Sequence, residues 1–425
     1  MAREHKLKDL IENIRIKEEG DLFSSMMRTF SADVISPLVC KKDKLDDDTL
    51  SGFIRGHYLK LSEDFGCDIF RLCQEVLKDV NAQSILGIPI EFYVESNNEA
   101  NASALQNFDK KGPHYIVFNS GLLNMLDKEE LRFIVGHELG HLIYEHAFLN
   151  WLLATFYRNN EMPLCLKGIY DFWNELSEMS ADRIGLLVVK DLDTAIQAAF
   201  KVSSGLNMKK MNTTSKNYIC MMDNLISDIK QDQGSRMLYF HPANPVRVKA
   251  LELFYHSRTR QRFIDSKGCI EDDELTLNTG VLIDNLRLKP TTELQQAEFD
   301  FLMSAGYLIM TGESGWNDEK GYCLVNILAG YHYRSKILLD NCLNEKTMSD
   351  MFERSSLVIA ERYTSRANDL FAQLVPLIAR GDKISKHEMD MLFCIAKKLK
   401  IPEDAAVGMI LEIIKDHFKP RGIVQ

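Results

Sequence analysis

From Lys6 to about Val80, apolar residues recur at spacings of three and four, as in Ile69, Phe70, Leu72, Val76 and Leu77. This is the repeat of helices that bury one face. The charged stretch Lys41 to Asp48 interrupts it and reads as a solvated loop between helices. The texture then changes. Ile90 to Glu95 and His114 to Asn119 are short runs rich in β-branched and aromatic residues, bounded by Gly87, Pro89, Gly112, Pro113 and Gly121, and they predict strands. Asn101 to Asn107 between them can form a third strand. A helix is expected to open after Asp127 as N-cap, with Glu130 three residues on as the capping-box partner. Ala147 to Tyr157 is strongly apolar but spans roughly three helical turns where a bilayer needs ~20 residues, so it predicts a buried or substrate-facing helix and no membrane span.

Glu271-Asp272-Asp273-Glu274 is expected to be a linker, after which a helical pattern resumes and continues to Phe418. Within this tail, Phe301 to Tyr331 and Phe371 to Ile401 each show an apolar helix, a turn with Gly and acidic residues, and a second apolar helix. The similarity suggests a duplicated helical hairpin, with two unrelated helical pairs as the alternative. The chain thus divides into an N-terminal helical region over 1–80, a catalytic unit over 81–260 and a C-terminal helical domain over 275–425. The fold class is α+β, mostly helical, with a small sheet.

Composition narrows the functions. With 425 residues and 45% apolar content the chain can bury a large core, and a formal charge of -10 gives no general attraction to phosphate backbones, so nucleic acid is not an expected partner. Nine cysteines at 40, 67, 73, 165, 220, 269, 323, 342 and 394 include no C-x-x-C pair and are expected as free thiols in a reducing compartment. The charged start, Met1 to Leu10, lacks the apolar stretch of a signal peptide. The expected location is the cytoplasm.

The chemistry concentrates in His137-Glu138-Leu139-Gly140-His141. On a helix, residues four apart share a face, so both histidines can aim a ring nitrogen at one ion while Glu138 addresses a water on it. A catalytic zinc takes three protein ligands and a water. His146 fails as the third, because Tyr144 and Ala147 stand where the metzincin pattern needs Gly and His; it is expected to line the cleft or bond a carbonyl. Asn174 to Arg183 is the better source. There Glu178 can ligate, and Asp182 one turn on can accept the free ring N–H of a zinc-bound histidine. Glu175 competes with Glu178 but has no acidic residue four positions later. Downstream, His241 and Arg247 in Phe240-His241-Pro242-Ala243-Asn244-Pro245-Val246-Arg247 could hydrogen-bond an oxyanion formed on a peptide carbonyl.

Together, Asn101-Ala102, Ile116 to Leu123, His137 through His146, Glu178 with Ala181-Asp182, and His241-Pro242 with Arg247 resemble the M48 peptidases, gluzincins that include the CAAX prenyl protease and a bacterial heat-shock membrane protease. The resemblance covers about residues 90–255. It implies one Zn2+ per chain held by His137, His141 and Glu178, with Glu138 as base and Asp182 behind a ligand. It implies further that His241 and Arg247 contact the substrate carbonyl region, and that Asn101 and Ala102 form an exposed strand edge that holds a peptide or protein substrate. Lacking a membrane span, the chain resembles a soluble bacterial branch. The tail around Gly381 to Glu388 resembles TerB-type helical domains of stress responses, which implies a protein partner there. Its acidic turn near Asp382 lacks the EF-hand ligand series, so no calcium is expected. The expected activity is hydrolysis of peptide bonds by a zinc metalloendopeptidase. The alternative is a silent or latent peptide-binding scaffold acting through the C-terminal domain.

Overall fold

The computed structural model describes residues 11–29, 47–107, 112–157, 161–231, 244–265, 272–284, 286–311, 318–341, 344–379 and 384–417. The fold is α+β and mostly helical, with one small sheet. It divides into two units, one of Met1–Glu161 with Asp171–Leu286 and one of Met162–Tyr170 with Arg287–Gln425.

In the first unit the elements run α1 (Lys17–Thr29), α2 (Asp47–His57), β1 (Leu59–Lys60), α3 (Cys67–Asp79), α4 (Ala82–Leu86), β2 (Ile90–Glu95), β3 (Ala102–Leu105), β4 (His114–Asn119), α5 (Ser120–Met125), α6 (Lys128–Ile143) and α7 (His146–Phe156). Helix α8 (Leu164–Val189) begins in the second unit and continues into the first. It is followed by α9 (Leu192–Ser204), α10 (Ser215–Gln231), α11 (Asn244–Tyr255), α12 (Arg258–Ile264) and α13 (Asp273–Ile283). Asp47 and Asp48 already belong to α2, so the end of the expected charged loop is helical, while 41–46 lie outside the described residues.

The sheet order is β1-β2-β4-β3. All six residues of β4 are buried, which suits a central strand covered on both faces, and β2 pairs with it in parallel from Ile90↔His114 to Glu95↔Asn119. Phe92 and Phe118 stack 6.4 Å apart on one face. Strand β3 runs antiparallel to β4 and forms one edge. Gly121 follows the central strand because a Cβ there would lie 2.2 Å from the Asn98 carbonyl oxygen.

Helix α6 starts where its sequence dictates. The Asp127 side chain accepts from the Glu129 and Glu130 N–H groups, and Glu130 accepts from the Asp127 N–H, closing the capping box. Beyond its first turn α6 is buried nearly all round, and it meets α8 at backbone contact distance. A Cβ on Gly140 would stand 2.7 Å from Ala181 Cα, one on Gly136 2.9 Å from Gly185 Cα, and one on Gly185 2.7 Å from the Phe133 carbonyl oxygen. Small residues four apart on both helices make the approach possible.

The acidic run expected as a linker serves as a helix start. Asp272 caps α13, accepting from Leu275 N–H and also from Thr259 N–H, while Asp273 and Glu274 fill the first turn; Glu271 lies outside the described residues.

The second unit carries α14 (Glu293–Met310), α15 (Asp318–Leu328), α16 (Ser335–Asn341), α17 (Glu345–Arg362), α18 (Ala367–Ile378), α19 (Lys386–Lys398) and α20 (Glu403–His417) around a core that includes Phe301, Leu302, Phe371 and Leu374. Two helical pairs, α14–α15 and α18–α19, occupy the stretches compared above, and the turn at 380–383 with its expected lack of calcium lies outside the described residues. A buried ion pair joins Lys320 to Glu388, and Glu388 also closes a capping box with Ser385. Among the described residues no helix is long and apolar enough to cross a membrane.

Because α6 and α8 touch through their backbones, Gly140→Val must push them apart. Overpacking of this kind costs about 1–3 kcal/mol or more. Thermal unfolding of the metal-free variant is expected to show that loss, whereas Gly87→Ala, at a position with open space but φ +68°, should cost only the strain of its backbone.

Candidate metal centre

The contact of α6 with α8 sets the chemistry. His137 and His141 stand one turn apart on α6, with their Nε2 atoms 3.1 Å from each other. Glu178, on α8, places Oε2 3.5 Å from His137 Nε2 and Oε1 3.5 Å from His141 Nε2. One donor atom from each of the three side chains falls within a span of 4.8 Å. A tetrahedral zinc with bonds of ~2.0–2.1 Å sets its ligand atoms ~3.3 Å apart, so the spacing fits such an ion.

The outer ring nitrogens are already engaged. His137 Nδ1 lies 2.9 Å from Asp182 Oδ1, and His141 Nδ1 lies 2.9 Å from His146 Nδ1. With protons on both Nδ1 atoms, two Nε2 lone pairs face each other at 3.1 Å, an arrangement that a cation between them relieves.

Charge points the same way. The carboxylates of Glu138, Glu178 and Asp182 face the guanidinium of Arg247, which bonds Asp182 at 2.8 and 2.7 Å and pairs with Glu178 at 3.2 Å. Burial works against charge on Glu178, but His137, His141 and Arg247 hold its pKa well below the usual carboxylate range. Burial also opposes a charge on Asp182, and Arg247 and His137 outweigh it. On His137 burial lowers the pKa while Asp182 and Glu178 raise it further, so a positive charge is favoured there. On His141 burial lowers the pKa, and the single carboxylate of Glu178 does not outweigh it. A divalent ion suits a pocket in which carboxylates outnumber cations.

Glu138 is 6% exposed and is not in the ligand cluster. Burial pushes its pKa up to about 7, against the charge of His137 and the nearby backbone of Ala104 on β3, both of which lower it. The competing Glu175 stands apart from the cluster; burial and Asp171 push its carboxyl up to about 8.

Along β3, the Asn101 carbonyl accepts from Asn119 N–H at 3.0 Å and so faces the sheet. Backbone direction alternates along a strand, which turns Ala102 and Ala104 to the outer edge, beside Glu138. Asn101 can therefore reach a peptide only through its side chain. Arg247 is held by Asp182 and Glu178, and His241 lies outside the described residues.

His146 does not line a cleft or bond a carbonyl. It is fully buried, touching His141 on one side and Glu19 on the other, 3.4 Å from Nε2 to Oε1. Sequence reasoning missed Glu19, which sits 118 positions before His137 in a pair of adjacent acids that resembles any solvated first turn.

The model of Peptidase family M48 matches residues 70–254. The "Plastoglobule-localized metallopeptidase 48, chloroplastic" of Arabidopsis thaliana is 30% identical over 135 residues, which cover 30% of this chain and 39% of that protein. The chain thus spans about two fifths of that relative's length. No solved structure matches significantly.

Elemental analysis of the purified protein is expected to find about one zinc per chain. In Glu178→Ala the zinc affinity should fall by more than the ~10–100-fold typical of losing an outer hydrogen-bond partner. Full occupancy in that variant would remove Glu178 from the ligand set.

Proposed function

Because residues 70–254 form a peptidase family M48 domain, we propose that this protein is a zinc-dependent metallopeptidase of the gluzincin type, hydrolysing peptide bonds in peptide or protein substrates. The observation that carries the reading is the facing pair of His137 and His141 Nε2 atoms, with a Glu178 oxygen 3.5 Å from each. His137, His141 and Glu178 would hold one zinc ion, which when bound lowers the pKa of a water and polarises a carbonyl.

Glu138 is the base. Its carboxylate takes the proton of the attacking water and returns it to the leaving amine, and a pKa brought toward neutrality by burial suits both transfers. Asp182 fixes His137 with its Nδ1 proton outward, and Arg247 holds Asp182 and Glu178 in place. His241 would serve the substrate carbonyl, as the family resemblance implies. A peptide would add to the outer edge of β3 at Ala102, with the Asn101 side chain beside it, so that backbone pairing brings its carbonyl to Glu138. The free thiols of Cys220 and Cys394, both exposed, fit a reducing compartment such as the cytoplasm.

Glu138→Gln is expected to keep its zinc and lose ~10²–10⁴-fold or more in turnover of a cleaved protein substrate, the range that general-base catalysis supplies. Wild-type turnover by the zinc-loaded variant would show that Glu138 is not the base.

A further inference from the structure

Helix α1 carries Glu19, which is fully buried behind the candidate metal centre and outside the matched segment 70–254. Its carboxylate is held from three directions. Arg15 donates through Nε at 2.5 Å and Nη2 at 2.8 Å, Trp173 Nε1 donates at 2.7 Å, and Ser180 Oγ stands at 3.4 Å. The remaining neighbour is His146, whose Nε2 lies 3.4 Å from Oε1 and has no closer hydrogen-bond partner among the described residues. The His146 ring meets Trp173 edge-on, with centroids 5.6 Å apart, and the tilted ring of Tyr144 at 5.6 Å.

We propose that Glu19 and His146 are positioning residues for the metal centre, forming a chain from Glu19 through His146 to the outer nitrogen of His141. The inference rests on the metal reading above. If His141 offers Nε2 to a cation, its proton sits on Nδ1 and must be accepted by His146 Nδ1, 2.9 Å away. A neutral His146 then carries its own proton on Nε2, facing the Glu19 carboxylate. Each link fixes the tautomer of the next. The result parallels the pairing of Asp182 with His137 on the other side, with a second imidazole inserted before the carboxylate.

The N-terminal segment is anchored to this task by its backbone. Tyr144 Oη donates to the Ile11 carbonyl at 2.9 Å, Arg183 Nη1 to the Ile14 carbonyl at 2.9 Å, and Ile16 N–H donates to Ser180 Oγ at 3.1 Å. These bonds come from the C-terminal end of α6 and from α8, the two helices that carry the ligands, so the segment leading into α1 is keyed to both.

The test measures zinc affinity by chelator competition on the full chain, with thermal unfolding of the metal-free protein as the check on folding. His146→Leu is expected to bind zinc ~10–100-fold more weakly. His146→Asn, whose amide oxygen can accept from His141 Nδ1–H, is expected to stay close to wild type. Glu19→Gln, which keeps the shape and removes the charge, should weaken zinc about tenfold. Ring-nitrogen NMR of the zinc-loaded wild-type protein should find His146 protonated at Nε2 and bare at Nδ1. The reverse tautomer, unchanged affinity in folded His146→Leu, or equal losses in the Leu and Asn variants would each overturn the proposal. Should His146→Leu fail to fold, the Asn and Gln variants and the tautomer decide it. Wild-type protein that takes up no zinc would instead defeat the metal reading on which the proposal rests.

Discussion

The close approach of α6 and α8 governs everything at the site. Gly136 and Gly140 on one helix meet Ala181 and Gly185 on the other, and a single Cβ at Gly140 would already overlap the facing backbone. Residues four apart share a helical face, so the small residues and the functional ones are interleaved: Gly136 and Gly140 each precede a histidine, and Ala181 precedes Asp182. The contact lets the short Asp182 side chain reach His137 Nδ1 while Glu178, one turn back, reaches both Nε2 atoms. With longer residues in the groove those carboxylates would stand back from the rings. The glycine within the His-Glu-x-x-His stretch is therefore as much a condition of the centre as the histidines.

Bringing buried carboxylates this close is unfavourable unless a positive charge joins them. Arg247 supplies part of it, engaging Asp182 with two nitrogens and Glu178 with a third. The rest of the demand appears on His137, where Asp182 and Glu178 overcome burial and favour a positive ring. A proton and a metal ion compete for that demand, since an imidazole protonated on both nitrogens has no lone pair to give. Asp182 biases the outcome by accepting a hydrogen bond from the outer Nδ1–H, leaving Nε2 to face inward. His141, whose pKa burial lowers, offers its lone pair more freely.

Much of this was legible in the sequence because it is local. The spacing of His137 and His141, the start of α6 at Asp127 with Glu130, and the pairing of Glu178 with Asp182 all depend on a helical repeat that a sequence displays directly. Strands β2 and β4 were visible as apolar runs, but their parallel pairing was not, and the two-residue strand β1 left no signal. What stayed hidden is long-range. Arg247 could be flagged, yet only the fold shows its guanidinium committed to two carboxylates. His146 was set aside because its spacing excludes it from a ligand pattern, and spacing says nothing of a partner more than a hundred residues upstream. The acidic run at Asp272 misled because a helix cap and a solvated linker draw on the same residue types.

The sheet brings a strand edge to the candidate centre. A central strand buried along its whole length has no free edge, so β4 can contribute only by supporting a neighbour, and β3 is that neighbour. Antiparallel pairing commits Asn101 to β4 and turns the polar groups of Ala102 and Ala104 outward. The backbone of Ala104 lies near enough to Glu138 to favour its charged form. The strand edge thus runs beside the Glu138 carboxylate. On the proposed function, a peptide laid along Ala102 would run toward Glu138 with no loop between them.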